Sequence, residues 1–237
     1  MGDLTSDQSA CTQVRKVSCV IPAFNEAARI AAVLQAAVTH PLISEVIVVD
    51  DGSGDATAQI AQSLGAHVIC QPRNGGKARA LAAGIGAARG ELLLMLDADL
   101  QGLDADAITR LLEPVLAARA DVSISLRGNA PRPWRALGLD YISGERVLPR
   151  DWVSGRLHEL DAMARFGCEV WLNKIWIENA ARVGVVRWDG VRSPLKAEKS
   201  GWVAGIRADF GMIRDIFQTV SPMMTLQQIV RMRGLRH

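Results

Sequence analysis

The chain has 237 residues, 49% of them apolar and 22% charged, with a formal net charge of +2. That length suits one large domain, or a domain with a small appendage, and so small a net charge excludes a general nucleic-acid binder. The charge is unevenly spread: from Arg192 to His237 eight Lys/Arg oppose three acids, net +5, which leaves −3 on residues 1–191. Cys11, Cys19, Cys70 and Cys168 are scattered without C-x-x-C or zinc spacing, as a reducing cytoplasm would favour. MGDLTSDQSA at the N-terminus lacks the basic-then-apolar pattern of a signal peptide, and no apolar run reaches the ~18 residues a spanning helix needs. The expectation is a cytoplasmic protein, soluble or in peripheral contact with the inner face of the membrane.

In chain order, VSCVI (17–21) reads as a strand closed by Pro22, and Asn25 as the cap of a helix through about Val38. EVIVVDD (45–51) is a second strand, followed by a helix over 56–64 with Asp55 as cap and Gly65 as stop. HVICQ (67–71), a small-residue helix over 77–90, and LLLML (92–96) come next. Asp104 caps a helix to about Arg119, and DVSISL (121–126) is a fifth strand. Residues 127–156 read as loop and turn, with helices expected near 159–165 and 168–182 and a sixth strand at VGVVRW (183–188). Residues 202–235 are amphipathic. Continuous apolar strands alternating with helices predict an α/β fold, a mainly parallel Rossmann-like sheet between helix layers.

In such sheets the binding crevice lies off the carboxyl ends of the strands. There the apolar run LLLML breaks into Asp97-Ala98-Asp99, the second strand ends in Asp50-Asp51, and the first is followed by Pro22, Asn25 and Glu26. Paired carboxylates on such a rim suit a hard divalent cation, Mg²⁺ or Mn²⁺, that bridges to a diphosphate; the plainer reading is that Asp97 and Asp99 end a strand and cap a turn. Gly75-Gly76 lets the backbone come close to an anion, and Lys77 opens a helix whose N-terminus favours one, although a solvated first-turn lysine would look the same. No Walker loop is present, and PAFNEA stands where a dinucleotide fold needs G-x-G-x-x-G.

PAFNE (22–26), DDGSGD (50–55), RNGGKARAL (73–81) and LDADL (96–100), in this order and spacing, resemble family 2 glycosyltransferases of the GT-A fold, nearest the dolichyl- and polyprenyl-phosphate sugar synthases. The resemblance is close over about 15–130 and looser over 130–200. It implies a GT-A domain over 15–200, followed by a basic amphipathic segment over 201–237 on the acceptor side. It implies donor contacts from Pro22, Ala23, Asn25 and Glu26 and base or ribose contacts from Asp50 or Asp51; the helix start at Gly76 and Lys77 is expected to add donor contacts of its own. It implies nucleotide and metal contacts from Asp97 and Asp99, with Asp99 also among the catalytic groups.

The acceptor decides what the rest of the site needs. A hydroxyl needs a general base, whereas a phosphate is already anionic and needs cations. Residues 127–150 hold Arg127, Arg132, Arg135, Arg146 and Arg150 against few acids, and arginine forks match phosphate geometry. SGER (143–146) resembles the family's acceptor loop. The expectation is therefore hexosyl transfer from a nucleotide diphosphate-sugar to an acceptor, a lipid (polyprenyl) phosphate, with inversion; Arg127, Arg146 and Glu145 are the acceptor-side groups. Transfer to a hydroxyl, with Glu145 or Asp140 as base, and a non-catalytic nucleotide-binding relative are the alternatives. Arg192, Lys196 and Lys199 loosely resemble a basic segment that closes over the diphosphate. Trp171 and Trp176 are expected in the core, Trp152 and Trp202 at a membrane boundary. His67, His158 and His237 have no ligand-like company. Oligomeric state is not legible.

Overall fold

The computed structural model describes residues 15–163, 167–193 and 222–235. Its strands are β1 (Val17–Ala23), β2 (Glu45–Asp50), β3 (His67–Cys70), β4 (Leu92–Met95), β5 (Val122–Arg127), β6 (Arg146–Pro149) and β7 (Val183–Trp188). They form one sheet in the order β3-β2-β1-β4-β6-β5-β7. β6 runs antiparallel to β4 and β5, and every other pair is parallel. The helices are α1 (Ile30–Val38), α2 (Thr57–Ser63), α3 (Lys77–Ala87), α4 (Ala105–Leu116), α5 (Arg132–Leu137), α6 (Asp151–Ser154), α7 (Gly167–Glu178) and α8 (Pro222–Gly234), with a 3-10 helix over Leu157–Ala162.

The alternation of strand side chains divides the core into two layers. Cys19, Ile21, Val46, Val48, Leu92, Leu94 and Val147 pack under α1, α2 and α4. Val20, Ile47, Val49, Leu93, Met95 and Leu148 point the other way, into a layer that holds the buried faces of α3, α7 and α8. Burial on both faces is why these strands read as unbroken apolar runs. Asp104 does cap α4, accepting the Ala107 N–H at 2.7 Å.

Four expectations need correction. Residues 127–156 are not loop throughout: α5, β6 and α6 lie there, and β6 is inserted between β4 and β5. Four residues, with an arginine at one end and a proline at the other, are too short to show a period. Asn25 does not cap α1; its φ of 55° is left-handed and the helix begins at Ile30. The helix expected near 159–165 is the 3-10 helix over Leu157–Ala162, and α7 ends at Glu178. Within 202–235 the described part is α8 and Leu235 just after it, whose carbonyl accepts the Val183 N–H at 2.8 Å. Lys196, Lys199 and Trp202 lie outside the described residues.

Gly84 lets α3 lie flat on the sheet. A Cβ there would collide with Val20 Cγ1 and press on Val49 Cγ2 at 3.0 Å, and valine cannot readily turn away. Gly84→Ala is expected to destabilise the fold by roughly 1–3 kcal/mol, measured as a lowered urea midpoint with an unchanged slope.

Candidate active site

The chain fills one half of the sheet through β1, β2 and β3, then returns along α3 to place β4 on the other side of β1. Crevices open at such switch points, off the carboxyl ends of the strands. A cleft of about 340 Å³ lies there. Pro22, Ala23 and Glu26 reach it from the end of β1, Asp51 from β2, Gly76 and Lys77 from the start of α3, and Asp97 and Asp99 from β4. Phe24, which the sequence reading did not single out, also lines it and is 44% exposed.

Two expected donor residues, Asn25 and Asp50, are not part of this lining. Asn25 accepts the Gly54 N–H at 2.8 Å and donates its own N–H to Ser53 Oγ at 2.9 Å, tying the end of β1 to the loop after β2. Asp50 is buried; one oxygen accepts the Ser53 N–H at 3.3 Å, and the other has no partner among the described residues. Asp51 accepts the N–H groups of Gly75 at 2.8 Å and Gly76 at 2.7 Å. Its carboxylate thus sets the glycine loop, where Gly76 adopts φ 89° just before α3, a conformation that costs other residues strain.

Lys77 is the first residue of α3, and its ammonium donates to Asp97 Oδ1 at 2.7 Å and Glu169 Oε1 at 2.9 Å. Burial alone would lower its pKa, but the two carboxylates outweigh it and hold Lys77 well above its ordinary value. Burial pushes Asp97 upward, yet Lys77, with Arg127 and Arg146 farther off, brings it below the usual carboxylate range. Asp99 goes the other way. No protein donor among the described residues reaches it, and burial, then the charges of Asp97 and Glu26, raise it from 3.8 to about 6. Glu169, on α7, was missed by the sequence reading. A buried acid in a helix apolar on nearly every side was the available signal, because such a charge needs a partner.

Glu26, Asp51, Asp97 and Asp99 give the cleft four carboxylates, against Lys77 as its lining cation. Among the described residues, no group of three or more His, Cys, Asp or Glu is arranged to hold a metal alone. Asp97 and Asp99 therefore fit a cation that arrives with phosphate oxygens as its remaining ligands, the habit of Mg²⁺.

The acceptor-side residues are packed rather than open. Glu145 is fully buried; it accepts from Ser125 Oγ at 2.7 Å and Ser143 Oγ at 2.6 Å and faces Arg127 at 3.4 Å. Arg127 also pairs with buried Asp140 at 3.3 Å and donates to Ser193 Oγ. Burial, with Glu145 beside it, raises Asp140 above its ordinary value despite Arg127. Arg146 spends its donors on Ser143 O, Asn173 Oδ1 and Tyr141 O at 2.7, 2.6 and 3.1 Å, and its guanidinium lies 4.8 Å from the Trp176 ring centre. Arg150 stands beyond the start of β4, donating to Gly90 O at 2.9 Å, away from the cleft. The expected cluster of arginines is thus dispersed, because antiparallel β6 carries its two ends to opposite edges of the sheet.

The raised Asp99 pKa has a definite sign. The unfolded chain loses that proton first, so metal-free protein should lose stability as pH rises from about 4 to about 6. Asp99→Asn should flatten that window in pH-dependent denaturation, and Asp97→Asn should lower the Asp99 pKa read by carboxyl NMR. Gly144 gives a second expectation. A Cβ there would lie 2.5 Å from Asp97 Oδ1, so Gly144→Ala should turn that carboxylate off Lys77 and weaken Mn²⁺ binding in calorimetry, with little change in melting temperature.

The family model for glycosyl transferase family 2 matches residues 18–163. Among curated proteins, an undecaprenyl-phosphate 4-deoxy-4-formamido-L-arabinose transferase of Sodalis glossinidius is 34% identical over 132 residues, covering 52% of this chain and 40% of that protein. A dodecaprenyl-phosphate galacturonate synthase of Rhizobium johnstonii is 33% identical over 127 residues, covering 49% and 37%. The match thus spans well under two thirds of these relatives' length. Among solved structures, glucosyl-3-phosphoglycerate synthase from Mycobacterium tuberculosis, in complex with Mn²⁺, UDP and phosphoglyceric acid, superposes with a TM-score of 0.66 at 22% identity, covering 87% of this chain and 79% of that one. That likeness establishes the GT-A fold, and with the family match over more than half of its length the chain belongs to glycosyl transferase family 2.

Proposed function

We propose that this chain transfers a hexosyl group from a nucleoside diphosphate-sugar to a polyprenyl phosphate, with inversion and with dependence on Mg²⁺ or Mn²⁺. The observation that carries this reading is the charge of the cleft. A diphosphate entering among Glu26, Asp51, Asp97 and Asp99 meets Lys77 as the lining cation, so it needs a further positive charge to stay. Asp97 and Asp99 would hold a divalent cation, which would supply that charge and offset the charge of the departing diphosphate. The Lys77 ammonium donates to the same phosphates, and Asp51 keeps the Gly75–Gly76 backbone shaped against them. The acceptor oxygen forms its bond to the anomeric carbon as the bond to the nucleoside diphosphate breaks.

The packing of residues 140–146 supports an acceptor that needs no base from this loop. Its carboxylates, Asp140 and Glu145, are buried against Arg127, so neither is placed to take a proton from a hydroxyl. A phosphate needs no such base. The names of the two curated relatives above carry undecaprenyl phosphate and dodecaprenyl phosphate, which supports the lipid. A second reading, a small phosphorylated acid, is favoured by the phosphoglyceric acid bound in the structural neighbour. No helix among the described residues is long and apolar enough to cross a membrane. Met223 and Val230, exposed two turns apart on α8 beside Arg231 and Arg233, support peripheral contact with a membrane surface.

UDP, GDP, ADP, CDP and dTDP should be tested for a melting-temperature shift with Mn²⁺ and with EDTA. One base should stabilise the protein by about 2–3 kcal/mol at a hundredfold excess over its dissociation constant, only with metal, and Asp97→Asn/Asp99→Asn should abolish the effect. The matching sugar donors should then release nucleotide when undecaprenyl phosphate is added. Release driven by phosphoglyceric acid instead selects the second reading, and binding without turnover on any acceptor selects a non-catalytic relative.

A further inference from the structure

Lys77 is held by two acids with different freedoms. Asp97 stands on the cleft wall and, on the function proposed above, gives its carboxylate to a cation. Glu169 stands behind that wall on α7, its side chain 5% exposed. Its second oxygen accepts the Cys168 thiol at 2.9 Å. It lines a narrow recess behind Lys77 and Asp97, whereas those two residues line both recess and cleft. The ammonium is thus part of a partition, with Glu169 at its back and the donor space in front.

An ammonium has three N–H donors. Two are taken by Asp97 and Glu169, and the third is left for the cleft, where the Lys77 side chain is 37% exposed. A cation brought to Asp97 repels that ammonium and claims its partner. A lysine anchored by Asp97 alone would be driven off at the moment the diphosphate needs it. Glu169 is free of this conflict because it does not reach the cleft. The buried guanidinium of Arg146 also interacts with it electrostatically.

We propose that Glu169 is a positioning residue that anchors Lys77 Nζ from behind, so that the ammonium stays directed at the donor diphosphate once Asp97 is engaged by a cation. The inference rests on the function proposed above. Its advantage is preorganisation: a lysine stem already fixed loses less rotamer freedom when it binds a phosphate than a free one does.

The test is calorimetric titration of the full chain in Mn²⁺, with the tightest-binding nucleoside diphosphate from the panel and with the corresponding nucleoside. Glu169→Gln keeps the shape and removes the charge. It should weaken diphosphate binding about tenfold, the value of one charge-assisted contact, and leave nucleoside binding unchanged. Glu169→Asp should fall between it and the wild type. In a protein already carrying Lys77→Met, Glu169→Gln should add nothing. Equal losses for nucleoside and diphosphate, full additivity with Lys77→Met, or wild-type affinity in Glu169→Gln would each overturn the anchoring role. Should Glu169→Gln not fold, Glu169→Asp carries the same comparison. A wild type that binds no nucleoside diphosphate defeats the proposed function and this inference together, whereas a weakened Lys77→Met beside an unaffected Glu169→Gln defeats the inference alone.

Discussion

One ammonium between two carboxylates holds this site together. Lys77 begins α3, Asp97 lies just past the end of β4 and Glu169 sits on α7, so three segments distant in sequence must arrive within hydrogen-bond reach of one nitrogen. Several otherwise separate features serve that requirement. Gly76 takes a left-handed turn to start the helix at Lys77. Gly84 lets the same helix press against Val20 and Val49, and Gly144 leaves room for the Asp97 carboxylate. Asp51 fixes the glycine loop from the far side. Each removes a degree of freedom that the ion pairs alone could not hold, because a half-exposed pair contributes little when its side chains are free to move.

The same elements explain why the cleft separates its two acids. Asp97 has Lys77 on one side and two arginines within electrostatic reach on the other, and it is ionised readily. Asp99, two residues on, has no protein donor among the described residues and faces Asp97 and Glu26. Adjacent carboxylates with opposite shifts make one a fixed negative charge and the other an acid that releases its proton most easily when a cation takes its place. The difference comes from their neighbours: Asp97 receives the Lys77 ammonium at 2.7 Å, whereas Asp99, in the turn that follows, has no such donor among the described residues.

The half of the sheet from β1 to β4 was legible because burial on both faces writes itself as unbroken apolar runs, and because the carboxylates that follow such runs stand out against them. What stayed illegible is physically different in kind. β6 is too short to carry a period, and its antiparallel direction is set by its partners, not by its own residues. Arg146 and Glu145 read as loop charges because nothing local announces that Ser125, Ser143, Asn173 and Trp176 will enclose them. Asn25 carried an ordinary capping signal, but its side chain was claimed by Gly54 across the cleft rim. Glu169 was visible as an oddity in an apolar helix, yet its partner, Lys77, lies 92 residues away, a distance no local pattern spans.

Arg146 then acquires a role that neither a phosphate-binding nor a purely packing description supplies. It is wholly buried, and its hydrogen bonds go to neutral oxygens, Ser143 O, Asn173 Oδ1 and Tyr141 O. A buried guanidinium without a paired acid is expensive unless its field is used. Burial lowers its pKa, and the charge of Glu169, on the neighbouring helix, is the strongest influence pulling it back. Taken together, Asp97 and Glu169 are matched by Lys77 and Arg146, so the partition behind the cleft is neutral as a set. That leaves Glu26, Asp51 and Asp99 as the other charged groups lining the cleft, with Glu26 paired to Arg29 at 2.7 Å and Asp51 turned to the Gly75 and Gly76 N–H groups. The buried network behind the cleft holds the Lys77 ammonium between Asp97 and Glu169 and so fixes where it can point.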